Sequence, residues 1–141
     1  MFRRSQGFQQ SFAASGDSFH PDLIYTLPFT DAAYATEQIT VMLKRNLPDA
    51  VLASNAAQAA FVLRAAYTLG LDIPSRLQVL SLEEPLPDAY FSPPVSAMSS
   101  SWYEIGFRAF ELLLSEFLDP YAPKQHILLK SEYIRRSTTR A

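Results

Sequence analysis

Cysteine is absent, which excludes a disulfide framework and any thiolate metal site and makes an intracellular address the expectation. Glycine is scarce: the chain has four, none in a glycine-rich loop behind an apolar run, so a nucleotide cradle and phosphoryl chemistry are not expected. Neither sign of charge dominates, since 12 Lys+Arg against 14 Asp+Glu leave −2, and no basic stripe stands out beyond short runs such as Arg3–Arg4 and Arg135–Arg136. A chain so balanced does not itself grip a phosphate backbone. Long apolar runs are missing too. Nothing approaches the roughly eighteen residues of a membrane span, and the N-terminus has no secretory-type apolar segment, so a cytoplasmic location with no membrane partner is expected.

What remains is ample core material. With 141 residues and 48% hydrophobic content the chain has enough for one domain. Helical and extended patterns then alternate. Phe8 and Phe12 lie four apart in a helix predicted over Phe2–Ser15 and closed by Gly16. Leu23–Leu27, rich in β-formers and halted by Pro28, predicts a first strand. Thr30 or Asp31 caps a helix bearing Ile39, Met42 and Leu43, which ends near Asn46 and Pro48. Ala50–Ala53 predicts a strand covered on both faces, and Ser54-Asn55 caps the next helix, which carries Ala59, Leu63, Ala66 and Tyr67 and stops at Gly70. Leu77–Leu82 is the third predicted strand.

Alternating strands and helices with short turns predict an α/β fold, a parallel sheet with flanking helices. Residues 85–101, with four prolines and five serines, predict a linker or crossover with a brief extended piece near Val95–Met98. Trp102–Leu118 has a broad apolar helical face, and His126–Tyr133 predicts a last strand.

Ligands of parallel α/β sheets bind beyond the carboxyl ends of the strands, which directs attention to Phe29, Asn55 and Glu83. An aromatic face, an amide and a carboxylate suit a hydroxyl-rich small molecule such as a sugar. Phe29 as plain core, Asn55 as a pure helix cap and Glu83 as a solvated loop acid remain open alternatives. Catalytic groupings are poorer. His20 and His126 stand apart from any acid or thiol that would make a metal site, and Ser99–Ser101 lack a nucleophile elbow and read as an irregular turn capping the next helix. Glu83 and Glu84 are adjacent and point to different sides, so no acid/base pair forms. No enzyme activity, cofactor or metal is expected.

Four blocks in order carry a resemblance. Arg4-Ser5-Gln6-Gly7-Phe8 is similar to the R-x-x-G-F segment of LacI/GalR regulators, and Pro48–Asn55 resembles their P-D-A-hydrophobic-x-A-S-N-D block. Gly70–Pro74 with Leu77–Glu84 resembles their G-L-x-V-P stretch and the strand that ends in an aspartate pair; Tyr133–Thr138 resembles their terminal L-hydrophobic-x-R-x-S-T. The departures are Ala56 where an aspartate is usual and Glu83-Glu84 for Asp-Asp.

The resemblance implies the C-terminal lobe of a periplasmic-binding-protein-like (type I) effector domain. It would sense a small effector, a sugar or similar polyol, as part of a homodimer, and reach DNA only through a headpiece outside this chain. Transport-type solute binding is the alternative. By matching positions, Arg4, Phe29, Asn55, Glu83 and Ser100 become effector contacts, and Ala60, Arg64, Tyr90 and Phe91 a dimer surface. The implied organisation is a lobe over 1–94, a crossover and helix over 95–125 expected to pack on a second lobe, and a returning strand with C-terminal tail over 126–141. The apolar face of the 102–118 helix is therefore expected to be exposed or covered by a partner.

Overall fold

Side-chain caps decide where the helices start. In the computed structural model, which describes residues 2–27, 31–85 and 91–140, Asp31 caps α2 (Ala32–Asn46) by accepting from the Ala33 N–H at 2.8 Å. Asn55 caps α3 (Ala56–Thr68) through the Gln58 N–H at 2.9 Å. Ser101 caps α4 (Trp102–Leu118) through the Glu104 N–H at 3.2 Å. Each bond satisfies a donor that the first helical turn leaves unpaired. α1 (Phe2–Ser15) stops at Gly16, whose φ of 81° is left-handed. After α3, Gly70 takes φ 64° and the Leu71 N–H reaches back to the Ala66 carbonyl at 2.9 Å, as helix-ending glycines allow.

Strands β1 (Ala50–Ala53), β2 (Gln78–Ser81), β3 (Ser96–Ser100) and β4 (Ser131–Ile134) form one sheet in that order. β1, β2 and β3 run parallel, and β4 returns antiparallel to β3, pairing Ala97 with Ile134 and Ser100 with Ser131. The α/β class is as expected, with the last strand reversed. α3 packs against β1, β2 and α2. Ala35, Ile39 and Leu43 recur every four residues along α2 and are buried, the periodicity that sets one helix face toward a core. Ala59, Ala65 and Ala66 have no exposure, their methyl groups letting α3 lie close to its neighbours, and Leu77, Val79 and Val95 complete the cluster.

Four expectations need correction. Leu23–Leu27 is not a strand: Pro21 opens a 3-10 turn over Pro21–Leu23, and the Leu23 and Ile24 N–H groups bond to His20 and Pro21 carbonyls. A proline with φ preset for a turn captures donors that a strand would send to a neighbour. β1 is consequently an edge strand among the described residues, with Leu52 exposed rather than covered on both faces. The last strand is Ser131–Ile134, shorter and later than His126–Tyr133. Ser99 and Ser100 lie in β3, and only Ser101 caps.

The C-terminal tail fills a gap in the sheet. β3 pairs with β2 only at Leu80 and Ser81. Below that point Thr138, fully buried, donates its hydroxyl to the Val79 carbonyl at 2.6 Å and accepts the Ser96 N–H at 2.8 Å, while its own carbonyl takes the Val79 N–H at 2.9 Å. Arg140 extends the contact, its N–H donating to the Gln78 side chain at 2.8 Å.

α4 contrasts with this packing. None of its residues is buried, and Trp102, Phe110, Leu113 and Phe117 are all more than 60% exposed, an unpartnered apolar face of the kind anticipated.

Candidate functional site

The parallel register that places Ala53 beside Ser81 also sets the residues after β1 and β2 at one sheet edge. Leu82 N–H bonds the Ala53 carbonyl at 2.8 Å and keeps the two exits together. Arg4, from α1, spans them. Its Nη1 donates to the Ser54 carbonyl and its Nη2 to Glu83 Oε1 at 2.8 Å. Both side chains of this ion pair are 45% exposed, and a pair so solvated contributes at most about 1 kcal/mol to stability. Stability is therefore a poor reason for the arrangement, whereas a guanidinium and a carboxylate open to solvent offer donors and acceptors to a polar ligand.

The loop that carries the Ser54 carbonyl is held firmly. Gln58 Oε1 accepts from the Ser54 N–H at 3.1 Å and from its hydroxyl at 2.7 Å, and Asn55 Oδ1 accepts the Gln58 N–H. Asn55 thus performs the capping role that sequence left open, directly beside the Arg4 contact.

Glu83 and Glu84, at the bend that follows β2, face opposite ways. Ser81 Oγ donates to the Glu83 carbonyl at 2.6 Å and accepts the Glu83 N–H at 3.2 Å, bracketing that residue. Glu84 turns inward. Its Oε2 accepts from the Ser99 hydroxyl and its Oε1 from Arg136 Nη2. Only 16% of the Glu84 side chain and 15% of Arg136 are exposed. The Ser99 hydrogen bond, followed by that from Arg136, holds the Glu84 carboxyl below the usual glutamate range. Sequence reasoning set Glu84 on the side away from Glu83 but missed these partners, because neither Ser99 nor Arg136 is close to it in the chain.

Arg4, Asn55 and Glu83 are therefore brought to one edge. Ser100 enters a different contact, with its hydroxyl 3.0 Å from that of Ser131 across β3 and β4. Its neighbours Ser99 and Ser101 help line an open cavity of about 610 Å³ with Glu104, Leu128, Leu129, Lys130 and Glu132. That cavity does not include Arg4, Asn55 or Glu83, and the chemistry of the first cluster makes it the better candidate. Phe29 and Tyr90 lie outside the described residues. On α3, Ala60 is half-buried, Arg64 exposed, and Tyr67, one turn further on, 88% exposed. Phe91 is half-buried against the core cluster of its own chain. Among the described residues no three His, Asp or Glu side chains cluster to hold a metal, and no helix is long and apolar enough to cross a membrane.

Comparison with known proteins places nearly the whole chain in one family. The profile of the periplasmic binding protein-like domain matches residues 1–139. The HTH-type transcriptional repressor PurR of Aliivibrio fischeri is 26% identical over 137 residues, covering 96% of this chain and 41% of its own. The ribose operon repressor of Bacillus subtilis is 33% identical over 92 residues, 65% of this chain and 28% of the repressor. The chain thus spans well under half the length of these relatives. Among solved structures, a LacI family transcriptional regulator from Arthrobacter sp. FB24 in complex with lactose superposes with a TM-score of 0.82 at 25% identity, over 97% of this chain and 50% of that one.

Proposed function

The chain belongs to the periplasmic binding protein-like domain family, with LacI/GalR-type regulators as its relatives, and from that premise we propose that it senses a small effector for a DNA-binding transcriptional regulator. The effector class is a sugar or similar polyol. The observation that carries the reading is the meeting of Arg4 and Glu83, half-exposed, over the carboxyl ends of β1 and β2, where open α/β sheets bind ligands. A guanidinium and a carboxylate side by side serve both lone pairs and protons of neighbouring hydroxyls. The lactose complex of the Arthrobacter relative supports that class.

In this reading Asn55 and Ser100 add polar contacts and Phe29 stacks on the ligand ring. Residues 1–94 make the lobe, 95–125 cross over so that α4 packs its apolar face on a second lobe, and 126–141 return. Dimerisation uses the outer face of α3 around Ala60 and Arg64 with Tyr90 and Phe91, and DNA is contacted through a headpiece outside these 141 residues. The protein works in the cytoplasm. Repressors among its relatives favour this role over solute binding for transport and over catalysis.

A panel of mono- and disaccharides and linear polyols, titrated into the ¹⁵N-labelled chain, tests the reading. Amide shifts centred on Arg4, Phe29, Ser54, Asn55, Glu83 and Ser100 are expected. Shifts mapping elsewhere, or none across the panel, would overturn it.

A further inference from the structure

Glu84 holds a nearly buried charge with no part in the cluster described above. Removing a carboxylate from water is unfavourable unless hydrogen bonds and an opposite charge compensate. Here they do: Ser99 and Arg136 both donate to it. Arg136 is itself anchored, its Nη1 donating to the Val95 carbonyl at 2.9 Å and its N–H to the Ser96 hydroxyl at 2.8 Å. Glu84 is thereby tied to β3 and to the C-terminal tail at once. On the other side of Glu83, the Ser81 hydroxyl brackets the backbone. Glu83 is left at the crest of a turn whose two flanks are pinned.

We infer that Glu84, Ser99 and Arg136 are positioning residues for the candidate site, holding the 83–84 peptide so that the Glu83 carboxylate meets Arg4. Glu83 and Glu84 share one peptide at the bend that follows β2, so the coupling is direct: rotating Glu84 out of its clamp swings Glu83 off Arg4. The tail from Arg136 onward then belongs to the site, although 52 residues separate Arg136 from Glu84. The functional consequence rests on the effector reading proposed above. The geometric claim does not.

Arginine side-chain NMR on the 141-residue chain separates the two. The Arg4 guanidinium resonances report its pairing with Glu83, and Glu83→Ala, which removes the acceptor, defines their unpaired position. Glu84→Gln, Arg136→Lys and the milder Ser99→Ala are each expected to move them at least halfway toward that position. Ile39→Ala, a core change on α2, which carries none of the clamp residues, is expected to leave them in place, which distinguishes positioning from general loosening. Arg4 resonances unchanged in folded Ser99→Ala and Arg136→Lys would overturn the inference. With lactose as probe, Ser99→Ala is expected to weaken binding about tenfold, and unchanged affinity would count against the inference. Failure of the unmodified chain to bind any sugar would overturn the effector reading alone, since the guanidinium readout needs no ligand.

Discussion

Thr138 and Val79 exchange two hydrogen bonds: the threonine hydroxyl donates to the valine carbonyl at 2.6 Å and the valine N–H to the threonine carbonyl at 2.9 Å. The same hydroxyl accepts from the fully buried Ser96 N–H. A tail residue thus completes the ladder between β2 and β3 where the strands themselves part. Thr138→Val keeps the shape and strands a buried donor and acceptor, so a loss of about 2 kcal/mol is expected. Thr138→Ser should recover most of it. Urea denaturation checks both, and a Val variant as stable as the original would contradict this account of the tail.

The packing of α2 on α3 predicts a larger loss in the core. Leu43 has no exposure, and truncation there removes a full side chain from a packed cluster. Leu43→Ala is expected to cost about 2 to 5 kcal/mol, against a change within about 0.5 kcal/mol for Val41→Ala on the exposed side of the same helix. Thermal or chemical unfolding measures the contrast.

Glu84 gives stability a pH dependence of known sign. Its carboxyl titrates below the usual glutamate range because Ser99 and Arg136 donate to the charged form. The folded state therefore binds its proton less readily than the unfolded chain, so the contribution is complete above the unfolded value and disappears as pH falls through the lower folded one. Glu84→Gln is expected to be less stable by about 1 to 2 kcal/mol at pH 7. The gap to the unmodified chain should close on acidification below the ordinary glutamate range. A gap that persists or widens in acid would contradict the assignment.

The proposed dimer surface predicts its own disruption. Arg64 and Tyr67 project from α3 with no core to cover them. Tyr67→Asp and Ala60→Glu are expected to shift sedimentation from dimer to monomer without unfolding the chain. A chain that sediments as a monomer at high concentration before any substitution would contradict the surface.

Much of this was legible from residue order. Asp31, Asn55, Gly16 and Gly70 mark helix ends by chemistry that operates locally, and the structure uses all four. Asn55 and Glu83 were found because strand ends follow from such boundaries; Arg4 came from the family resemblance. What escaped depends on partners distant in sequence. Leu23–Leu27 has strand composition, but His20 and Pro21 carbonyls capture its first donors. Thr138 belongs to a polar run that no hydrophobic periodicity would place in a core, since its burial depends on backbone groups of Val79 and Ser96. The clamp on Glu84 escaped for the same reason.

The central claim is that Arg4 and Glu83 form the effector contact. Calorimetric titration of the chain with its best-binding sugar, alongside Arg4→Ala and Glu83→Gln, tests it most directly. Loss of a charged hydrogen-bonding partner is expected to weaken binding about 10- to 100-fold in each variant, with folding intact. Binding of equal strength in both variants would contradict the account.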